Sequence, residues 1–93
     1  MLKKQYSPFT LIIMEVIKAF GLDGLHCCPK TETLSYVLSR SDESVELDPV
    51  VDMRNVIHIE VSINETEDEF EKIKLMDCHG ESFTLEAINC IGF

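Results

Sequence analysis

A chain of 93 residues with a net charge of −9 has room for one hydrophobic core and carries too much negative charge to bind nucleic acid or an anionic membrane directly. Its apolar share of 45% excludes a disordered chain, and no run of residues approaches the roughly 18 apolar residues that a membrane span needs. We therefore expect a single domain over residues 1–93, and the partner that complements its charge is a basic protein.

The clearest helix signals come early in the chain. Ser7 suits the N-cap, Pro8 suits the first helical position, and Gly21 supplies a C-terminal stop. Apolar residues recur at three- and four-residue spacing and define one face that we expect to be buried, which consists of Phe9, Ile12, Ile13, Val16, Ile17 and Phe20. Leu11 and Met14 widen the apolar surface beyond that face. A helix this apolar either lies deep in its own domain or packs on another chain, and Leu11 and Met14 are the candidate oligomer interface.

The middle of the chain carries weaker signals. Residues 22–30 are rich in turn formers and are predicted to be a connection. Apolar residues at alternate positions predict a strand over residues 33–39, although a short helix also fits this stretch. Residues 40–55 are polar and acidic, and Asp48-Pro49 is able to start a single helical turn there.

The last forty residues alternate as an antiparallel meander. The apolar residues that share one face of residues 56–63 are Ile57, Ile59, Val61 and Ile63. Further strands are predicted over residues 70–76 and 82–87, and residues 88–93 are expected to prolong the last one. The predicted fold class is α+β, with one N-terminal helix packed on a three- to four-stranded antiparallel sheet that ends in this meander.

Histidines and cysteines are the ligand types that zinc prefers, and they occur here as His26-Cys27-Cys28, Cys78-His79 and Cys90. Structural zinc sites pair ligands two to four residues apart, whereas these are adjacent, so no metal site is predicted. Phosphate-binding loops and hydrolase motifs are absent, so neither an enzyme nor a cofactor is predicted. The cysteines do not form a secreted framework, and no secretion signal is recognised after Lys4, which indicates thiols in a reducing cytoplasm.

The acids are distributed unevenly. Residues 42–71 hold eleven acids and one base, Arg54, which gives this window a charge of −10, whereas the remaining residues hold six acids and seven bases. The densest part is Asn64-Glu-Thr-Glu-Asp-Glu-Phe-Glu71. An extended backbone there would project Glu65, Glu67, Glu69 and Glu71 in one row, with steps of roughly 6.6 to 6.8 Å. Such a run is commonly solvated surface that protects a strand edge. Its self-repulsion costs stability, however, which favours a binding surface.

Two hypotheses on function follow. The first is a non-catalytic acidic binding protein, an inhibitor that masks a nuclease or another nucleic-acid-binding protein, in the way that DNA mimics, nuclease-immunity proteins and phage anti-defence proteins use charge. Its candidate partner-binding residues are Asp42, Glu43, Glu46, Asp48, Glu65, Glu67, Asp68, Glu69 and Glu71. The alternative is a structural or assembly subunit that forms a homodimer or a larger complex through Leu11 and Met14.

Overall fold

One helix and two antiparallel sheets make up the fold, which the computed structural model describes over residues 6–91. The helix α1 (Pro8–Phe20) comes first. The first sheet has the order β1-β2-β3 and consists of β1 (Leu25–Cys28), β2 (Thr33–Arg40) and β3 (Val45–Asp52). A 3₁₀ turn (Met53–Asn55) leads into the second sheet, β4-β5-β6, which consists of β4 (Val56–Asn64), β5 (Glu69–Asp77) and β6 (Ser82–Glu86). A short helix, α2 (Ala87–Cys90), follows β6. The α+β class and the C-terminal meander are therefore confirmed.

The structure has two sheets of three strands, where one sheet of three to four strands was expected, and the strands that the sequence did not predict are the edge strands β1 and β3. β1 occupies part of the expected connection, and β3 occupies the acidic stretch for which a single helical turn was predicted. Pro49 lies on β3 because an edge strand can lack a donor on its outer side. There Ser35 pairs with Pro49 and Leu34 with Val51, which leaves Val50 as the extra residue of a bulge. At the C-terminal end, residues 87–90 are helical and do not prolong β6, while residues 92–93 lie outside the described part.

The signals at both ends of α1 are confirmed. Ser7 Oγ accepts a hydrogen bond from the Phe9 N–H at 3.3 Å, and Gly21 takes the left-handed conformation (φ 63°) while its N–H donates to the Ile17 carbonyl. Ile13 is fully buried on the predicted face. Ile12 and Phe20, however, remain exposed, so the expectation that this whole face is buried is wrong. Within residues 6–91, no helix has the length and apolarity that crossing a bilayer requires.

The inner face of the second sheet carries two apolar rows that cross all three strands. One row is Val61–Ile73–Leu85 and the other is Ile59–Leu75–Phe83. Ile73, Leu75 and Leu85 are almost inaccessible to solvent and pack in the same core as Ile13 of the helix. The rows follow from the alternation of side chains in paired strands, which places opposite residues on the same face.

The apolar face predicted for β4 is correct only in its middle. Val56 pairs with Asp77 and His58 with Met76, so Ile57 is the extra residue of a bulge and is 55% exposed. Ile63, at the other end, is also exposed. A bulge shifts the two-residue period by one, and Val56 is consequently the residue that enters the core at the start of β4.

Glu32 is a buried acid that connects three segments. Its Oε1 accepts hydrogen bonds from the Ser7 N–H and from Thr10 Oγ1, each at 2.8 Å. Its own N–H donates to the Cys28 carbonyl at 2.8 Å, and its carbonyl accepts from the Met53 N–H at 2.7 Å. It does so with a left-handed backbone (φ 54°). The start of α1, the β1–β2 turn and the 3₁₀ turn therefore meet at one residue.

Replacing this acid should destabilise the whole domain. We expect Glu32→Ala to lower the free energy of unfolding by about 2–4 kcal/mol, because two donors in partly or fully buried positions lose an acceptor. Glu32→Gln keeps an oxygen acceptor and should cost less. Glu32→Gly also removes the carboxylate but relaxes the left-handed backbone, so it should be about 1 kcal/mol more stable than Glu32→Ala. Urea unfolding followed by circular dichroism measures all three, and equal stability of Glu32→Ala and wild type would contradict this role.

Candidate functional site

The nine acids predicted to bind a partner are all exposed and lie in two hairpins. We define the β2–β3 acidic end as Asp42, Glu43, Glu46 and Asp48. We define the β4–β5 acidic end as Glu65, Glu67, Asp68, Glu69 and Glu71. The structure brings the members of each end together on one hairpin, whereas the two ends belong to different sheets.

The β2–β3 acidic end is built on a serine-bridged turn. The Ser41 N–H donates to the Ser44 carbonyl at 2.8 Å, and the Ser44 N–H donates to Ser41 Oγ at 3.2 Å. Asp42 and Glu43 lie between these serines at the tip. Short polar residues favour such turns because their side chains bond the local backbone. The carboxylates at the tip are thus held on a closed loop.

Residues 65–68 of the β4–β5 acidic end form a turn, and Glu69 and Glu71 lie at the start of β5, so this end is not the single extended row that the spacing suggested. Asn64 closes it: its carbonyl accepts from the Asp68 N–H at 2.7 Å, and its Oδ1 accepts from the Thr66 N–H at 3.0 Å. Asp68 has a left-handed backbone (φ 55°), which a short acid tolerates better than most residues. Glu71 is the extra residue of a bulge, because Ser62 pairs with Lys72 and Ile63 with Phe70. The prediction of a single regular row of carboxylates is therefore wrong.

In the part of the chain that the structure describes, no base forms an ion pair with either acidic end. Within residues 6–91 the ion pairs are Arg54–Asp52 at 2.7 Å and His58–Glu60 at 3.1 Å, and neither includes a member of the two ends. Arg54 contacts both carboxylate oxygens of Asp52, and these hydrogen bonds lower the pKa of Asp52. The lone base of the acidic window is thus engaged by an acid outside the candidate surface.

The outer face of the second sheet carries charges of both signs in its middle. This face has two mixed rows, Glu60–Lys74–Thr84 and Ser62–Lys72–Glu86. The pKa of Glu60 is lowered, first by the hydrogen bond from His58 and to a smaller extent by the nearby Lys74 and Lys72. On this sheet, acids therefore outnumber bases at the β4–β5 hairpin end but not on the outer face of its middle.

The four cysteines are free thiols in different surroundings. Cys27 and Cys90 are buried, and burial raises the pKa of each to about 11. Cys78 is exposed. Cys28 is partly buried, and hydrogen bonds from Thr31 lower its pKa. Among residues 6–91 no three His, Cys, Asp or Glu side chains come together in a way that could hold a metal ion.

These surroundings should separate the thiols by reactivity. We expect iodoacetamide at pH 8 to modify Cys28 and Cys78 of the folded protein and to leave Cys27 and Cys90 unmodified, since a thiol of pKa about 11 is only about 0.1% thiolate at that pH. Peptide mass spectrometry reports the modification, with urea-unfolded protein as the control. Fast labelling of Cys90 in the folded state would contradict the structure.

The buried thiols also make stability depend on pH. Because the pKa values of Cys27 and Cys90 are raised above 9.0, the contribution of these thiols to stability is present below pH 9 and is lost as the pH rises toward about 11.

Sequence reasoning identified the exposed acids but missed two features. Glu32 gave no signal, because it was one acid in a part of the chain that is close to neutral. The outer edge of β4 also gave none, because strand order is not encoded in the local pattern of β4.

Comparisons with protein-family models, curated proteins and solved structures found no match to this chain. The function is therefore argued from the geometry and charge of the surface alone.

Proposed function

We propose that this chain is a non-catalytic binding protein whose two acidic ends contact a basic protein. The observation that supports the proposal is the exposure of nine carboxylates on two hairpins with no ion pair to a base within residues 6–91. Like charges on one hairpin repel one another, and a bound cationic surface relieves that repulsion. The acidic ends are thus more favourable in a complex than alone.

The turns that carry these acids suit them to binding. The Ser41–Ser44 and Asn64–Asp68 hydrogen bonds hold both loops in closed conformations, so less backbone entropy is lost when a partner docks. The carboxylates project from hairpins, which fits a concave partner surface better than a flat one. Long-range attraction to such a surface accelerates association and is screened by salt.

The partner class with the matching charge is a nuclease or another nucleic-acid-binding protein. Its groove holds phosphates with lysine and arginine side chains, and carboxylates on a hairpin compete for the same side chains. Occupation of that groove masks it from nucleic acid. An inhibitor that works in this way needs no catalytic residues of its own.

Charge reversal at the β4–β5 acidic end tests this function. We expect the Glu67→Lys, Glu69→Lys double variant to weaken binding of a partner captured from the source cells at low salt by about 10- to 100-fold. The matched control is Glu15→Lys, Glu86→Lys, which makes the same change in net charge at exposed positions outside both acidic ends. Titration calorimetry over a series of salt concentrations gives the affinities. If the captured partner is a nuclease, wild type should inhibit it and the double variant should not.

Two outcomes would contradict this proposal. One is an affinity that does not change with salt, and the other is an equal loss in the control and in the Glu67→Lys, Glu69→Lys variant. Asp42→Lys, Glu43→Lys makes the same reversal on the other hairpin and shows which acidic end carries the contact.

A second candidate function is assembly through α1. Leu11 is 50% exposed and Met14 is 37% exposed on the described helix, which is more apolar surface than a solvated helix face usually presents. A structural subunit would bury these side chains against another copy or another protein.

This alternative has its own test. We expect a Leu11→Glu, Met14→Glu variant to sediment as a monomer if wild type assembles through α1, because charged side chains cannot be buried there without a partner. Leu11→Met, Met14→Leu keeps the apolar area and should assemble as wild type does. Monomeric sedimentation of the wild type would remove the assembly function.

A further inference from the structure

The outer side of β4 is an open sheet edge. β4 is a nine-residue strand at the border of the second sheet, and within residues 6–91 no backbone hydrogen bond joins it to any strand other than β5. From His58 to Ser62 it pairs with β5 without a break in register. A straight stretch of strand thus leaves its outer N–H and C=O groups available for another chain.

The other three edges are protected in ways that proteins commonly use. β1 has only four residues and contacts α1. β3 carries Pro49, a bulge and exposed acids. β6 has five residues and runs directly into α2. β4 is the longest of the four edge strands and lacks proline, so it is the edge best suited to strand addition.

The side chains along this edge could pair with the same side chains of a second copy. His58 and Glu60 are exposed on the outer face, and His58 Nε2 lies 3.1 Å from Glu60 Oε1. Ile59 and Val61 are only partly buried on the inner face, where α1 contacts β4. A strand added to this edge would need an acid opposite His58 and a base or donor opposite Glu60, with apolar residues between them.

We propose that a second copy of this chain adds to the edge, antiparallel, with Ile59 on the twofold axis. This register places His58 of each copy opposite Glu60 of the other, so an imidazole that can donate a hydrogen bond faces a carboxylate on each side of the axis. Moving the axis one residue toward the C-terminus places Glu60 opposite Glu60, and moving it one residue the other way places His58 opposite His58. Like charges directly opposite each other destabilise a strand pair, which disfavours the Glu60–Glu60 register. The His58–His58 register leaves each Glu60 without a donor opposite it, so the register centred on Ile59 is preferred. The result is a six-stranded sheet with a symmetric interface.

The acidic ends do not oppose this pairing. Glu65 follows Ile59 by six residues, which is about 20 Å along a strand, so the two β4–β5 acidic ends lie about 40 Å apart in an antiparallel pair. That distance is several times the Debye length of about 8 Å at physiological salt. Repulsion between these ends is therefore screened, while the short contacts at the joint remain.

Mixing two single variants tests the register directly. We expect wild type to sediment as a dimer, and His58→Glu and Glu60→Lys each to raise the dimer dissociation constant at least about tenfold. An equimolar mixture should recover the dimer. In the mixed pair, the carboxylate introduced at position 58 faces the ammonium introduced at position 60, and the original Glu60 faces the original His58. A pairing of these two residues within one copy cannot produce recovery on mixing.

Controls separate this interface from the other surfaces. Glu86→Lys makes the same charge change on β6, the opposite edge of the same sheet, and should leave the dimer unchanged. Glu67→Lys, Glu69→Lys should also dimerise normally, so failure of the partner-binding function would not affect this result. A monomeric wild type, single variants that dimerise as wild type does, or no recovery on mixing would each overturn the proposal. A dimer that survives His58→Glu but is lost in Leu11→Glu, Met14→Glu would assign the contact to α1 and would likewise overturn it.

Discussion

The carboxylate of Glu32 is the constraint on which the arrangement of the domain depends. A buried charge is unfavourable unless donors surround it, and this one receives the Ser7 N–H and the Thr10 hydroxyl at the start of α1. A helix N-terminus also favours negative charge nearby. Because the Glu32 backbone bonds the 3₁₀ turn at Met53, the same residue fixes where the chain leaves the first sheet. The position of β4 beside α1 follows from it.

A second group of hydrogen bonds lies at the other end of β1, where Gly24 joins α2 to the first sheet. The Gly24 N–H donates to the Cys90 carbonyl at 2.8 Å, and the Gly24 carbonyl accepts from the Val37 N–H at 2.9 Å. A Cβ at position 24 would lie 2.7 Å from the Asn89 carbonyl oxygen, so only glycine allows this approach of α2 to the first sheet. The two sheets share no strand. They are joined by these local hydrogen bonds and by the common core.

Features encoded by neighbouring residues could be predicted from the sequence, whereas features that depend on distant partners could not. Ser7, Pro8 and Gly21 set the helix ends through bonds within one turn, and the alternation of β4 to β6 needs only paired strands. The hydrogen-bond partners of Glu32, Thr10 and Ser7, are 22 and 25 residues away, and no local sequence pattern predicts them. The nine candidate residues are exposed, as a charged run indicates. The regular row predicted for residues 65–71 is wrong, because Asn64 closes a turn there through hydrogen bonds that an extended backbone cannot make.

The β4–β5 acidic end affects how the open edge of β4 can pair with a second copy. An edge with free backbone groups can slide, and a slide of the proposed pair toward the C-terminus moves the β4–β5 acidic end of one copy along the edge of the other, where Glu60 already lies. The carboxylates of Glu65 and Glu67 then raise the energy of the registers that are shifted in this direction. Because the twofold pair uses the outer edge of β4 in both copies, no β4 edge is left for a third copy. The acidic ends can therefore limit sliding and still present two separated acidic surfaces to a basic protein. Two such surfaces about 40 Å apart would strengthen binding only to a partner with two matching sites, since a single groove can be filled by one copy.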